Sequence, residues 1–108
     1  FQAVKNHRLV DPLSAPGQTD LTAHVDFEVL AQATAPAAHT RLTSQGVFLE
    51  RLGISPRAQS LADATSGNAQ NEVVTAHRRL THPAEMGTVF KALGLYPKGQ
   101  QPPPGLET

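Results

Sequence analysis

The sequence predicts an α/β chain, on three observations. Residues 88–96 are apolar on both alternation sets, Val89, Leu93 and Leu95 against Phe90, Ala92 and Tyr96. A strand of that kind sits centrally in a sheet, covered on both faces. Between residues 46 and 81 the apolar residues recur at helical spacing. Finally, short extended pieces alternate with turn and capping residues throughout the first 45 positions.

Taken in order, residues 1–13 alternate loosely (Phe1, Ala3, then Leu9 and Val10) and read as one or two short extended pieces. Asp11-Pro12 and Ala15-Pro16-Gly17 break them, because proline removes an amide donor and fixes its own φ. Residues 21–25 form a short extended lead to a helix capped by Asp26, with Phe27, Leu30, Ala31 and Thr34 on one face and Pro36 as its stop. Residues 40–44 read as a modest strand. A helix over 46–52 follows, presenting Phe48, Leu49 and Leu52, with Gly53 at its C-terminal end. Ser55, followed by Pro56 at the first helical position, is expected to cap a second helix, and Asn68 a third that runs to about Thr81. Residues 97–108, with Pro102-Pro103-Pro104-Gly105, carry no periodicity and are expected to form a loose, disordered tail after a single domain over 1–96.

Composition bounds the function classes. At 108 residues the chain holds one small domain at most, and 39% hydrophobic and 5% aromatic residues without Trp make a lean core. A formal net charge of zero provides no electrostatic footprint for nucleic acid or an anionic membrane, so neither partner is expected. Without cysteine there is no disulfide and no thiolate zinc site, and the scattered histidines give no metal cluster. Glycine-rich phosphate loops, nucleophile elbows and zinc helices are absent from the sequence. The helices are rich in Ala and the other strands short, so the two-sided strand at 88–96 asks for more protein than these residues supply. The chain also begins on Phe1, not Met. It therefore reads as a piece of a larger fold.

Three segments in order, Asp20-Leu21-Thr22-Ala23-His24-Val25-Asp26-Phe27, then the helix opening at Thr43-Ser44-Gln45-Gly46-Val47-Phe48, then Glu85-Met86-Gly87-Thr88-Val89-Phe90, resemble the C-terminal part of the MidA family. These are S-adenosylmethionine-dependent class I methyltransferases, and their mitochondrial members are arginine methyltransferases that assist complex I assembly. The resemblance covers residues 1–95 and implies the end of a Rossmann-like sheet. Residues 88–96 would be its inserted antiparallel strand, 40–44 the edge strand beside it, and the helices of 47–80 an insertion between the two. It further implies S-adenosylmethionine held mainly by a preceding half, a protein arginine as acceptor, and a bacterial cytoplasm or mitochondrial matrix as the setting. Alone, the chain would be inactive, and it would associate with that half or with itself.

The best functional candidates lie in the first segment. Asp20, Thr22, His24 and Asp26 alternate along an extended run, so their side chains fall on one face. Carboxylates there could hold a guanidinium by bidentate hydrogen bonds and align its nitrogen with the methyl donor. Asp26 reads more simply as a helix cap, and Asp20 equally as a turn residue. Gln45, at the strand-to-helix turn, could face a cleft or a plain surface. A non-catalytic assembly module, using the same polar stripe to grip a partner protein, is the alternative from another class.

Overall fold

The computed structural model describes residues 2–108; Phe1, at the start of the first expected extended piece, lies outside them. Strand β1 (Gln2–Lys5) turns back into β2 (Arg8–Val10) through Asn6 and His7, both left-handed at φ 51° and 62°. Asparagine tolerates that region well, which lets a two-residue turn match the strand twist. β3 (Asp20–Thr22) pairs antiparallel with the other edge of β1, giving the order β2-β1-β3. Ala3 faces both Val10 and Leu21 across the sheet and is 1% exposed. Helix α1 (Phe27–Ala33) starts at Asp26, whose Oδ1 accepts the Val29 amide at 3.1 Å. The expected cap is therefore present, and it satisfies one of the helix's free donors.

Next come β4 (Ala38–His39), β5 (Thr43–Ser44) and α2 (Gln45–Arg51). α3 (Ile54–Asp63) and α4 (Gly67–Thr81) pack on one another, with the Gln70 amide donating to the Ala62 carbonyl at 2.9 Å. Two cap expectations need correction. Gly53, left-handed at φ 91°, precedes α3 in place of Ser55, and Ser66 precedes α4 in place of Asn68. Pro56 still lies in the first turn of α3, where amide donors have no helical partner to lose.

The segment 86–96 is α5 (Met86–Val89), β6 (Lys91–Ala92) and β7 (Leu95–Tyr96). Antiparallel pairing with residues 40–44 is present as expected, through β5, and it continues outside the expected strand through β4, but the single two-sided strand is absent. β7 pairs with β4 and β6 with β5, each as two strands. Between the two ladders the Thr40 amide donates to the Gly94 carbonyl at 2.9 Å, and the Gly94 amide donates to Thr40 Oγ1 at 3.0 Å. Counting inward from these bonds, Arg41 and Leu42 oppose Leu93 alone, so the ribbon carries a bulge that shifts its register by one. Val89 is 74% exposed, and Phe90 and Leu95 are exposed too, so this chain does not cover both faces of its most apolar segment.

The bulge has a partner in the last residues, since the Arg41 amide donates to the Glu107 carbonyl at 2.7 Å. Arg51 meets the Glu107 carboxylate at 3.2 Å, and Leu106 and Pro103 press on Gly94. The whole is open in shape. Its radius of gyration is 17.4 Å, where about 13 Å is usual for this length. Its accessible surface is 7975 Å2, where a compact monomer of this mass shows roughly 5,800 Å2. Among the described residues only Ala3 and Ala62 form a buried hydrophobic core.

Candidate functional site

A concavity lies where α2, α4 and α5 meet. Its base is backbone against backbone. A Cβ on Gly46 would stand 2.5 Å from the Thr81 carbonyl oxygen, and one on Gly87 would clash with the same group. Glycine at both positions is what allows α2 and α5 to close on the end of α4. Gln45 locks the junction: its side-chain amide donates to the Leu80 carbonyl at 2.9 Å and reaches the Met86 carbonyl at 3.5 Å. One of the carbonyls left free at the end of α4 is thereby satisfied. Above this base opens a cleft of about 910 Å3, walled by Val47 and Val74 and edged by Glu50, Arg51, His77 and Arg78.

On its rim, Ser55 Oγ lies 2.7 and 2.8 Å from the two Glu50 carboxylate oxygens and 3.0 Å from His77 Nε2. His77 Nε2 is itself 3.6 Å from Glu50 Oε1. A hydroxyl has one proton, and an ionised carboxylate can only accept, so the Ser55 proton points to Glu50. His77 Nε2 must then donate to Ser55 Oγ. In a nucleophilic triad the serine donates to the imidazole, and the acid holds the opposite ring nitrogen. Here hydroxyl and acid share one nitrogen and the proton runs the other way. The cluster is a clamp between α2, α3 and α4, and it orients the Glu50 carboxylate.

The residues singled out in the sequence fall in two places. Asp20 and Thr22 alternate on β3, opposite Val4 and Gln2, and both are exposed. His24 and Asp26 follow in the connection to α1, also exposed, with Asp26 Oδ1 engaged by the helix start. Gln45 stands apart from them at the start of α2, its amide turned into the helix junction. Glu50, Ser55 and His77 escape sequence reading because 22 positions separate Ser55 from His77. The signal was faint: Glu50 and Ser55 flank the turn at Gly53. Among the described residues no group of three His, Asp or Glu side chains is placed to hold a metal ion.

The family model described as "Putative S-adenosyl-L-methionine-dependent methyltransferase" matches residues 1–47, which take in β1 to β5, α1 and the start of α2. This match and those to the relatives below make the chain similar to the C-terminal part of S-adenosylmethionine-dependent methyltransferases of the MidA type. It is similar to the mitochondrial protein arginine methyltransferase NDUFAF7 homolog of Drosophila melanogaster, at 36% identity over 100 residues, 90% of this chain and 23% of that protein. The NDUFAF7 proteins of Bos taurus and Homo sapiens are 34% and 33% identical, each match covering 90% of this chain and 22% of the relative. The chain thus spans under a quarter of the length of these curated relatives.

Proposed function

We propose that these residues work as the closing, acceptor-side portion of an S-adenosylmethionine-dependent protein arginine methyltransferase, in which another part of the protein binds the cofactor. The observation that carries this reading is similarity to named arginine methyltransferases along 90% of the chain. The large accessible surface, on which Leu13, Val89 and Phe90 stand exposed, supports it, because a segment made to complete a larger domain leaves apolar side chains open. On this reading 38–45 and 90–96 continue a Rossmann-like sheet, and 45–81 form a helical elaboration between its last strands. Mitochondrial relatives favour the matrix as its setting.

The chain's own residues do not fit the cofactor. S-adenosylmethionine needs donors for its carboxylate and ribose hydroxyls, which a glycine-rich turn between strand and helix supplies with room for the ligand. The connection from β3 to α1 contains no glycine. At the junction of β5 and α2, the space beside Gly46 is filled by the Thr81 carbonyl and Gly87. A charged amino-acid end placed there would be desolvated and unpaired. Asp20, Thr22, His24, Asp26 and Gln45 are the candidates for the acceptor side. Of the carboxylates, Asp20 is the freer, since Asp26 already caps α1.

Titration calorimetry tests this. The 108 residues alone should show no saturable S-adenosylmethionine binding, and fusion to the cofactor-binding portion of a relative should restore it. In the fusion, Asp20→Asn should lower methyl transfer to a protein arginine far more than it lowers cofactor affinity. Micromolar cofactor binding by the isolated chain would overturn the assignment of halves. Equal loss of both properties would remove Asp20 from the acceptor side.

A further inference from the structure

The cleft between α2 and α4 has a wall, a charge and an orienting network. Val47 and Val74 supply apolar surface on two different helices. Among the residues lining it, Glu50 is the sole carboxylate. The two lining arginines already have acidic partners outside the lining, Arg51 with Glu107 at 3.2 Å and Arg78 with Glu85 at 3.2 Å. Counting those partners and neutral histidines, the rim carries three carboxylates against two guanidinium groups, so its formal balance is one negative charge. That charge sits on Glu50, which no Lys or Arg side chain contacts.

Glu50 is also held in place. Both its oxygens receive the Ser55 hydroxyl, which His77 in turn fixes from α4. A carboxylate has roughly four lone-pair sites, so two oxygens remain able to accept from outside. Fixed orientation lowers the ordering cost of a two-bond partner. A planar guanidinium matches such a carboxylate by paired N–H donors, and its three-carbon stem suits apolar walls; an ammonium does neither as well. The volume of about 910 Å3 admits a short peptide segment around that side chain.

We propose that Glu50, oriented by Ser55 and His77, is a recognition site for an arginine side chain of a protein segment, lodged between Val47 and Val74. The choice of arginine rests on the methyltransferase reading, but the test needs no methyl donor, so the two can fail separately. Amide NMR of the 108-residue chain is followed while a short peptide with one arginine among glycines and serines is added. Saturable shifts at Val47, Val74 and Gly87 are expected, with the same peptide carrying lysine about tenfold weaker. Glu50→Gln should weaken the arginine peptide at least about tenfold with an otherwise unchanged spectrum. Ser55→Ala, which frees the carboxylate without removing it, should weaken it about threefold. Shifts elsewhere, equal binding by Glu50→Gln, or inorganic phosphate moving the same signals at lower concentration would each overturn the proposal.

Discussion

Residues 2–34 and residues 38–108 solve packing differently, though among the described residues neither leaves a buried side-chain nitrogen or oxygen without a partner. In the first region, β1 to β3 have their substantial contacts with one another, and α1 rests on its Asp26 cap while Val29 and Leu30 stay exposed. In the second, distant residues meet through backbone: Thr40 with Gly94, Arg41 with Glu107, Gln45 with Leu80, Gly46 and Gly87 with Thr81. The family match falls mainly on the thinly packed region, over residues 1–47. On the proposed reading, the exposed apolar side chains of this region would meet the rest of a methyltransferase domain. The second region is therefore expected to carry most of the stability within this chain.

The sharpest way to break that contrast is Gly87→Ala. A Cβ there meets the Thr81 carbonyl and the backbone of His82, neither of which can swing aside. A loss of about 3 kcal/mol or more is expected in chemical denaturation. Hydrogen exchange should rise through α2, α4 and α5 and stay unchanged in β1 to β3. Uniform loss across the chain would show that the regions are one cooperative unit. Gln45→Leu comes next. It leaves the Leu80 and Met86 carbonyls without their donor, at a cost of about 2 kcal/mol, again confined to the second region.

Asp26→Ala tests the other side. It removes the bond to the Val29 amide, and about 1 kcal/mol of local helix stability should go with it. Faster exchange in α1 alone is the expected record; a fall in the denaturation midpoint as large as that of Gln45→Leu would contradict the division. Arg51→Ala should have the smallest effect, under about 1 kcal/mol, because its pair with Glu107 is exposed. Its trace should be faster exchange of the Arg41 amide, whose acceptor is the Glu107 carbonyl.

What could be read in the sequence follows the range of the forces. The Asp26 cap and the stop at Gly53 are local, decided within four residues, and both are present. Alternation marked 88–96 as an extended apolar run, and the family resemblance supplied 40–44 as its antiparallel neighbour, a pairing present between β5 and β6. The bulge was not legible, because it depends on the Thr40 hydroxyl replacing a backbone acceptor for Gly94 and on Glu107 arriving from the chain's end. The helical turn at Met86–Val89 was hidden for the same reason: Gly87 is drawn toward the end of α4 by packing and by the His82 carbonyl, at 3.0 Å from its amide. Ser55 looked like a cap because serine before proline is a strong local signal. Its hydroxyl is engaged instead by Glu50 and His77, and Gly53 takes the turn. The polar stripe from Asp20 to Asp26 was visible as a pattern, and only Asp20 and Thr22 among its members lie in a strand.

We propose that the exposed apolar side chains of this chain, Leu13, Val89 and Phe90 among them, are covered in the larger protein. Sedimentation velocity of the 108 residues over a range of concentrations, with a fluorescent probe of hydrophobic surface in parallel, tests it most directly. Probe binding well above that of a compact protein of equal mass is expected, with association that grows with concentration as copies cover one another's apolar residues. A monodisperse monomer at high concentration, sedimenting as a compact sphere and leaving the probe dark, would contradict it.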